Sequence, residues 1–248
     1  MKNLSGKYCI VTGAGKGIGK AIAARFLEEQ AAGVAILEWD IALAEATAKE
    51  LDPTGERVIA IRCNVADSDM VKEAVDAVIA KFGRVDVLVN NAGVTRDKIF
   101  HKMTDDDWNT VININLNGVY NLCKYVVPVM REQESGSIIN ITSTSIMGNP
   151  GQANYAATKA ALEGFTRTMA KELGRKGVRM NCIAPGCIDT DMMRAVGEEI
   201  LTRIIKGLPA QRLGRPEEIA SVAAFLASDD ASWLSGENIF VSGGGTMH

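Results

Sequence analysis

The chain has 248 residues, 47% of them hydrophobic, which is enough to bury one large core and matches a single α/β domain spanning 1–248. Its net charge of −3 comes with no basic cluster, so nothing in the charge pattern calls for nucleic acid or an anionic membrane as partner. No apolar stretch is long enough to span a bilayer, and Met1-Lys-Asn-Leu-Ser-Gly6 lacks the apolar region of a secretory signal, so a cytoplasmic protein acting on a small molecule is expected.

Tyr8-Cys-Ile-Val-Thr12 is a short apolar, β-branched run that leads into Gly13-Ala-Gly-Lys-Gly17-Ile-Gly19, and helical periodicity follows over 20–30. Strand, glycine turn and helix in this order let the backbone approach a pyrophosphate, which sits on the N–H groups of a helix starting near Gly17. A second strand, Val34-Ala-Ile-Leu37, ends in Glu38, nineteen positions past Gly19. A carboxylate there accepts hydrogen bonds from the adenosine ribose hydroxyls and repels a 2′-phosphate, which favours NAD(H). Lys16 pulls the other way, because an ammonium in the glycine loop can meet the 2′-phosphate of NADP(H).

Further along, the pattern predicts a strand over 57–63, a helix over 67–82, a strand over 85–89 and a helix over 104–130. A strand over 137–141, a helix over 152–175, a strand over 178–183 and a C-terminal strand near 238–241 complete the series. Alternation of this kind implies a doubly wound parallel α/β sheet of about seven strands, covered by helices on both faces. Ligands then bind beyond the strand C-termini, where the strand order reverses. Asn64 follows the third strand and Asn90 the fourth, both also natural turn formers.

In Asn154-Tyr-Ala-Ala-Thr-Lys159 a phenol and an ammonium stand four residues apart on one helical face. A phenol with a pKa near ~10 works poorly as an acid or base at neutral pH, and a fixed positive charge beside it pulls that pKa down. Tyr155 and Lys159 are therefore a candidate tunable acid/base pair, although a core aromatic beside a solvated amine shows the same spacing. Five cysteines, at 9, 63, 123, 182 and 187, form no C-x-x-C pair and read as buried thiols, with Cys187 in a loop beside the candidate site. His101 and His248 are isolated from acidic or cysteine partners, so no metal site is expected and a serine–histidine mechanism has little material.

Five segments together carry a family resemblance: Thr12-Gly-Ala-Gly-Lys-Gly17-Ile-Gly19, Asn90-Asn-Ala-Gly93, a serine ahead of Tyr155-Ala-Ala-Thr-Lys159, and Pro185-Gly186 followed by Thr190. In this order they resemble the short-chain dehydrogenase/reductase family over essentially the whole chain, which implies a Rossmann-type fold. Asn149-Pro-Gly-Gln-Ala-Asn-Tyr155 and Arg212-Leu-Gly-Arg-Pro-Glu-Glu-Ile-Ala220 most resemble the 3-oxoacyl-[acyl-carrier-protein] reductases within it.

The resemblance implies an enzyme that transfers hydride between a nicotinamide and a carbonyl carbon, with Tyr155 delivering the proton and a serine hydroxyl polarising the carbonyl. Lys159 would also hold the nicotinamide ribose hydroxyls. Asn115, chosen over Asn113 and Asn117, would bend its helix and hold a water linking the lysine to solvent. For the serine, anchoring on the preceding strand selects Ser143, whereas counting back thirteen from Tyr155 selects Thr142. The implied cofactor contacts are Gly13, Gly15, Lys16, Gly17, Ile18, Gly19, Glu38, Asn64, Val65, Asn91, Ala92, Gly93, Tyr155, Lys159, Pro185, Gly186, Ile188 and Thr190.

Residues 187–211 resemble the family's substrate loop, and Met192, Met193, Ile200, Leu201 and Leu208 give it an apolar face suited to a hydrophobic substrate. Family members acting on acyl carrier protein hold that acidic partner with a basic patch. Here Lys176 survives, but the matching position before the fifth strand is Glu134, which weakens docking of an acyl carrier protein. A 3-oxoacyl thioester is thus the leading substrate. A dehydrogenase of another secondary alcohol, such as a sugar alcohol or hydroxysteroid, is the alternative, and a non-catalytic dinucleotide-binding module the remote one. The resemblance further implies a homotetramer built from the helices over 104–130 and 152–175 and the C-terminal strand.

Overall fold

A computed structural model describes residues 3–246, so His248 lies outside the described residues. Seven parallel strands form one sheet: β1 (Tyr8–Thr12), β2 (Gly33–Glu38), β3 (Val58–Arg62), β4 (Val87–Asn90), β5 (Gly136–Ile141), β6 (Val178–Pro185) and β7 (Asn238–Val241). Their order across the sheet is β3-β2-β1-β4-β5-β6-β7. The chain builds outward from β1 to β3 and then returns to β4 on the other side of β1. A crevice therefore opens above the C-terminal ends of β1 and β4.

Alternation along the strands divides the core. Cys9, Val11, Val34, Ile36, Val87 and Val89 face one side. There they meet Ile22 and Phe26 of α1 (Gly17–Glu28) and Ile219 and Ala223 of α9 (Pro216–Ala227). Ile10, Ala35, Leu37 and Leu88 face the other side, packing against α3 (Ser68–Phe82), α5 (Gly118–Gln133) and α6 (Ala153–Leu173). Phe26 is fully buried between sheet and helices, a burial worth roughly 1.5–3 kcal/mol.

Two helices not anticipated from periodicity are present. One is α2 (Ile41–Leu51), capped by the Asp40 carboxylate, which accepts from the Leu43 N–H. The other is α9, which begins at Pro216 with the Glu218 carboxylate turned back to the Arg215 N–H. The helix expected over 104–130 is broken. It consists of α4 (Asp105–Ile112), a π turn (Asn113–Asn117) and α5. The expected strand over 85–89 is shifted and runs Val87–Asn90. Within 187–211 lie α7 (Asp191–Arg194) and α8 (Glu198–Gly207), neither with a buried residue. Met192 and Ile200 are half exposed there. No helix of the described residues is long and apolar enough to cross a membrane.

Candidate active site

The crevice floor is stitched together by hydrogen bonds from the β1 and β4 ends. The Thr12 hydroxyl accepts from the Asn91 and Ala92 N–H groups, each at 3.0 Å, while the Asn91 amide donates to the Thr12 and Gly13 carbonyls at 2.9 and 3.0 Å. This packing dictates glycine. A Cβ on Gly13, which has φ +62°, would lie 2.9 Å from the Ala92 Cα, and one on Gly19 would lie 2.4 Å from the Gly13 carbonyl oxygen. Helix α1 then starts at Gly17 with Lys16 extended before it and no side chain capping its first N–H groups. Uncapped N–H groups at the head of a twelve-residue helix suit an anion.

Glu38 closes this loop from the end of β2. Its carboxylate accepts from the Gly15 N–H at 3.2 Å and from the Trp39 N–H at 2.9 Å. Lys16 is turned away from it, pairing with Asp191 at 2.9 Å across the crevice, both groups exposed. Trp39 and Arg62, which the motifs did not single out, stand on the same edge. The Arg62 guanidinium lies 4.6 Å over the Trp39 ring. Asn64 caps its own turn by accepting from the Ala66 N–H at 3.1 Å, and the Val65 carbonyl is held by the Asn121 amide at 2.9 Å.

On the far wall, Ile188 is buried and joined to Gly214, the Gly186 N–H donates to the Val241 carbonyl at 3.0 Å, and Pro185 ends β6. Thr190 caps α7, and its methyl group stands opposite Gly17, 3.6 Å from where a Cβ there would lie. The segment over 187–211 thus begins against the glycine loop.

Three of the four expected catalytic side chains converge on Gly93 or Tyr155. Asn115 is fully buried in the π turn, its amide paired with both Val94 main-chain groups at 2.9 Å, and Gly93 sits beside it and beside the Lys159 ammonium. Asn113 and Asn117 instead bond each other on the exposed face at 2.9 Å. Lys159 is buried and donates to the Ile141 carbonyl at 2.7 Å, with Nζ 5.5 Å from the Tyr155 ring centroid. Thr142 is also buried, but its hydroxyl is engaged with the Ile183 carbonyl and Asn238 Oδ1 on the sheet side. The hydroxyl beside the Tyr155 phenol is that of Ser143.

Protonation differs from the expectation that the ammonium depresses the phenol. Burial raises Tyr155 above its ordinary value, the Ser143 hydroxyl counters part of that rise, and the nearby Asp97 carboxylate adds to it. Lys159 is itself lowered to about 8 by burial. The reason is geometric: the ammonium is directed to the Ile141 carbonyl, so loss of water outweighs its pull on the phenol.

The cysteine thiols at 63, 123 and 182 are pushed up to about 12 by burial, and Cys9 still higher, which keeps them protonated. Among the described residues no group of three or more His, Cys, Asp or Glu is placed to hold a metal ion.

A profile of the family described as enoyl-(acyl carrier protein) reductase matches residues 13–246. The 3-oxoacyl-[acyl-carrier-protein] reductase of Thermotoga maritima is 45% identical over 244 residues, covering 97% of this chain and 98% of that protein. The proteins of the same name from Staphylococcus epidermidis and Chlamydia trachomatis are each 44% identical, over 239 and 243 residues, covering 96% and 97% of this chain and 98% of each relative.

Proposed function

The chain belongs to the short-chain dehydrogenase/reductase family and is an oxidoreductase acting on CH–OH groups, and from that premise we propose that it reduces the ketone of 3-oxoacyl thioesters to the secondary alcohol with a nicotinamide cofactor. The observation that carries this reading is the Ser143 hydroxyl set against the half-buried Tyr155 phenol, with the buried Lys159 ammonium beneath.

The residues fit such a cofactor. The uncapped start of α1 offers N–H groups to the pyrophosphate, Gly13 and Gly19 leave no room for side chains there, and Glu38 is anchored where a ribose edge would lie. When bound, the nicotinamide supplies the hydride for the carbonyl carbon. The roles of the protein follow from its own groups. The Ser143 oxygen already accepts from the Ser145 N–H at 3.1 Å, so its single proton is left to donate toward a carbonyl oxygen. Tyr155, raised by burial, stays protonated at neutral pH and acts as the acid that completes the alcohol. Lys159, at about 8, is charged at neutral pH. It uses one N–H on Ile141, keeps two for ribose hydroxyls, and meets the phenolate with positive charge as the proton leaves. Asn115 fastens the π turn to Val94. Because its amide is engaged, a water on the route to Lys159 is held in this reading by the π turn's main chain.

Glu38 supports NAD(H) over NADP(H), as does Lys16, whose partner is Asp191. Glu134 pairs with Lys176 at 2.8 Å, leaving little net charge for an acidic carrier protein. A thioester presented without strong carrier docking, such as a coenzyme A ester, is the reading this favours. The reading extends to a cytoplasmic homotetramer, in which exposed Tyr120 on α5 would lie on one of the interface helices, and sedimentation at a single-chain mass would overturn the tetramer. The test of function is oxidation of NADH and NADPH, in parallel, with acetoacetyl-CoA. Rapid NADH-dependent turnover is expected; faster NADPH turnover would overturn the cofactor preference, and no turnover with either would overturn the thioester reading.

A further inference from the structure

A chain of hydrogen bonds leads from an exposed carboxylate to the site, and the proposed mechanism gives its outer members no role. The Asp97 carboxylate, on the segment between β4 and α4, accepts from Gln152 Nε2 at 2.9 Å. With Nε2 committed, Gln152 Oε1 faces the opposite way and accepts from the Ser145 hydroxyl at 2.9 Å and from Asn149 Nδ2 at 2.8 Å. Ser145 in turn gives its N–H to the Ser143 oxygen at 3.1 Å.

The order of donors leaves one amide orientation. Were Gln152 reversed, its oxygen would face the Asp97 carboxylate and its NH2 would face the NH2 of Asn149, pairing acceptor with acceptor and donor with donor. Asp97 therefore sets the Gln152 orientation, Gln152 holds Ser145 in the short 3-10 turn Thr144–Met147, and Ser145 occupies a lone pair of Ser143. Core satisfaction does not explain the arrangement, because Asp97 and Asn149 are exposed and Gln152, Ser143 and Ser145 are only half-buried.

We propose that Asp97 and Gln152 are positioning residues that orient the Ser143 hydroxyl through Ser145, so that its proton points to the reacting oxygen beside Tyr155. This rests on the reading of Ser143 and Tyr155 as the reacting pair. Asp97 touches neither substrate nor cofactor in this account; apart from its charge adding to the rise of the Tyr155 phenol, it reaches Ser143 through Gln152.

The test is steady-state turnover of the full chain with acetoacetyl-CoA and NADH in a set of variants, alongside cofactor affinity from tryptophan fluorescence. Gln152→Ala and Asp97→Ala should each lower kcat about tenfold, a loss of about 1.4 kcal/mol as expected for one oriented hydrogen bond, with cofactor affinity unchanged. Asp97→Asn, whose carboxamide oxygen still accepts from Gln152 Nε2, should keep at least half of normal kcat. The double variant should be no worse than Gln152→Ala alone, and in a Ser143→Ala background Gln152→Ala should have no further effect. Normal kcat in Gln152→Ala, an equal loss in Asp97→Asn and Asp97→Ala, or an undiminished tenfold loss in the Ser143→Ala background would each overturn the proposal alone. A Ser143→Ala enzyme with full turnover would overturn the reading of Ser143 itself, and the positioning role with it.

Discussion

Replacing Lys159 with methionine separates what this side chain does for the reaction from what it does to the fold. Burial lowers the Lys159 pKa from 10.5 to about 8, which corresponds to about 3 kcal/mol of disfavoured charge at roughly 1.36 kcal/mol per tenfold in proton affinity. Methionine has similar volume and no charge, but it leaves the Ile141 carbonyl without the 2.7 Å donor, a loss of about 1 kcal/mol. The net is a gain of about 2 kcal/mol at pH 7, or about 4–8 °C in Tm for a domain of this size, together with a loss of turnover of about a hundredfold or more.

The pH dependence gives the sign. Between about 8 and 10.5 the folded protein binds fewer protons at Lys159 than the unfolded chain, so wild-type stability rises with pH relative to the variant. The stability advantage of Lys159→Met is therefore full below pH 8 and shrinks as pH rises toward 10.5, where the missing hydrogen bond leaves the variant the less stable of the two. Thermal melts of both proteins from pH 6 to 10.5 measure this. A variant that is no more stable at pH 7, or an advantage that does not shrink with pH, would refute the account of Lys159 as a destabilised buried cation.

Tyr155→Phe removes only the hydroxyl and should cut turnover by about a thousandfold while cofactor still quenches tryptophan fluorescence; retained turnover would assign the proton to another group. Glu38→Gln keeps an acceptor for the Gly15 N–H and removes the charge, so the ratio of NADPH to NADH efficiency should rise about tenfold, near 1.4 kcal/mol of relieved like-charge repulsion. An unchanged ratio would mean that Glu38 does not face the 2′ position. Asp52 is held at about 2, first by the Thr54 hydroxyl and then by the Arg57 and Val58 N–H groups. Its depressed value stabilises the fold above the ordinary carboxylate range, and this is lost as pH falls from about 4 to about 2. Asp52→Asn should flatten the acid limb of stability by about one proton, and an unchanged limb would count against that bonding.

Much of the architecture is legible in the residue pattern because it depends on local preferences and on burial. Alternating residues such as Ile10 against Cys9 and Val11 announce strands with both faces covered, and the glycines between Thr12 and Lys20 announce a turn that side chains would block. The α2 cap at Asp40 is legible too, but the mixed apolar and charged run behind it does not distinguish helix from loop. A π turn has no such mark: one inserted residue shifts the helical register by about a quarter turn, and only packing against Val94 decides that Asn115 rather than Asn113 or Asn117 turns inward.

The sequence by itself determined the strands, the glycine turn before α1 and the spacing of Tyr155 and Lys159, since all of these follow from short-range periodicity and backbone freedom. Tertiary structure decided the rest. Whether Thr142 or Ser143 faces the phenol depends on strand pairing, because the Thr142 N–H and hydroxyl are both drawn to Ile183. Whether Tyr155 is raised or lowered depends on how much water is lost around it and where the Lys159 ammonium points. The partners that orient Ser143 and neutralise Lys16 come from distant segments, Gln152 meeting Asp97 at a separation of 55 and Lys16 meeting Asp191 at 175. Hydrogen bonds and desolvation act over a few ångströms in space, and no spacing along the chain records which distant segments the fold brings within that range.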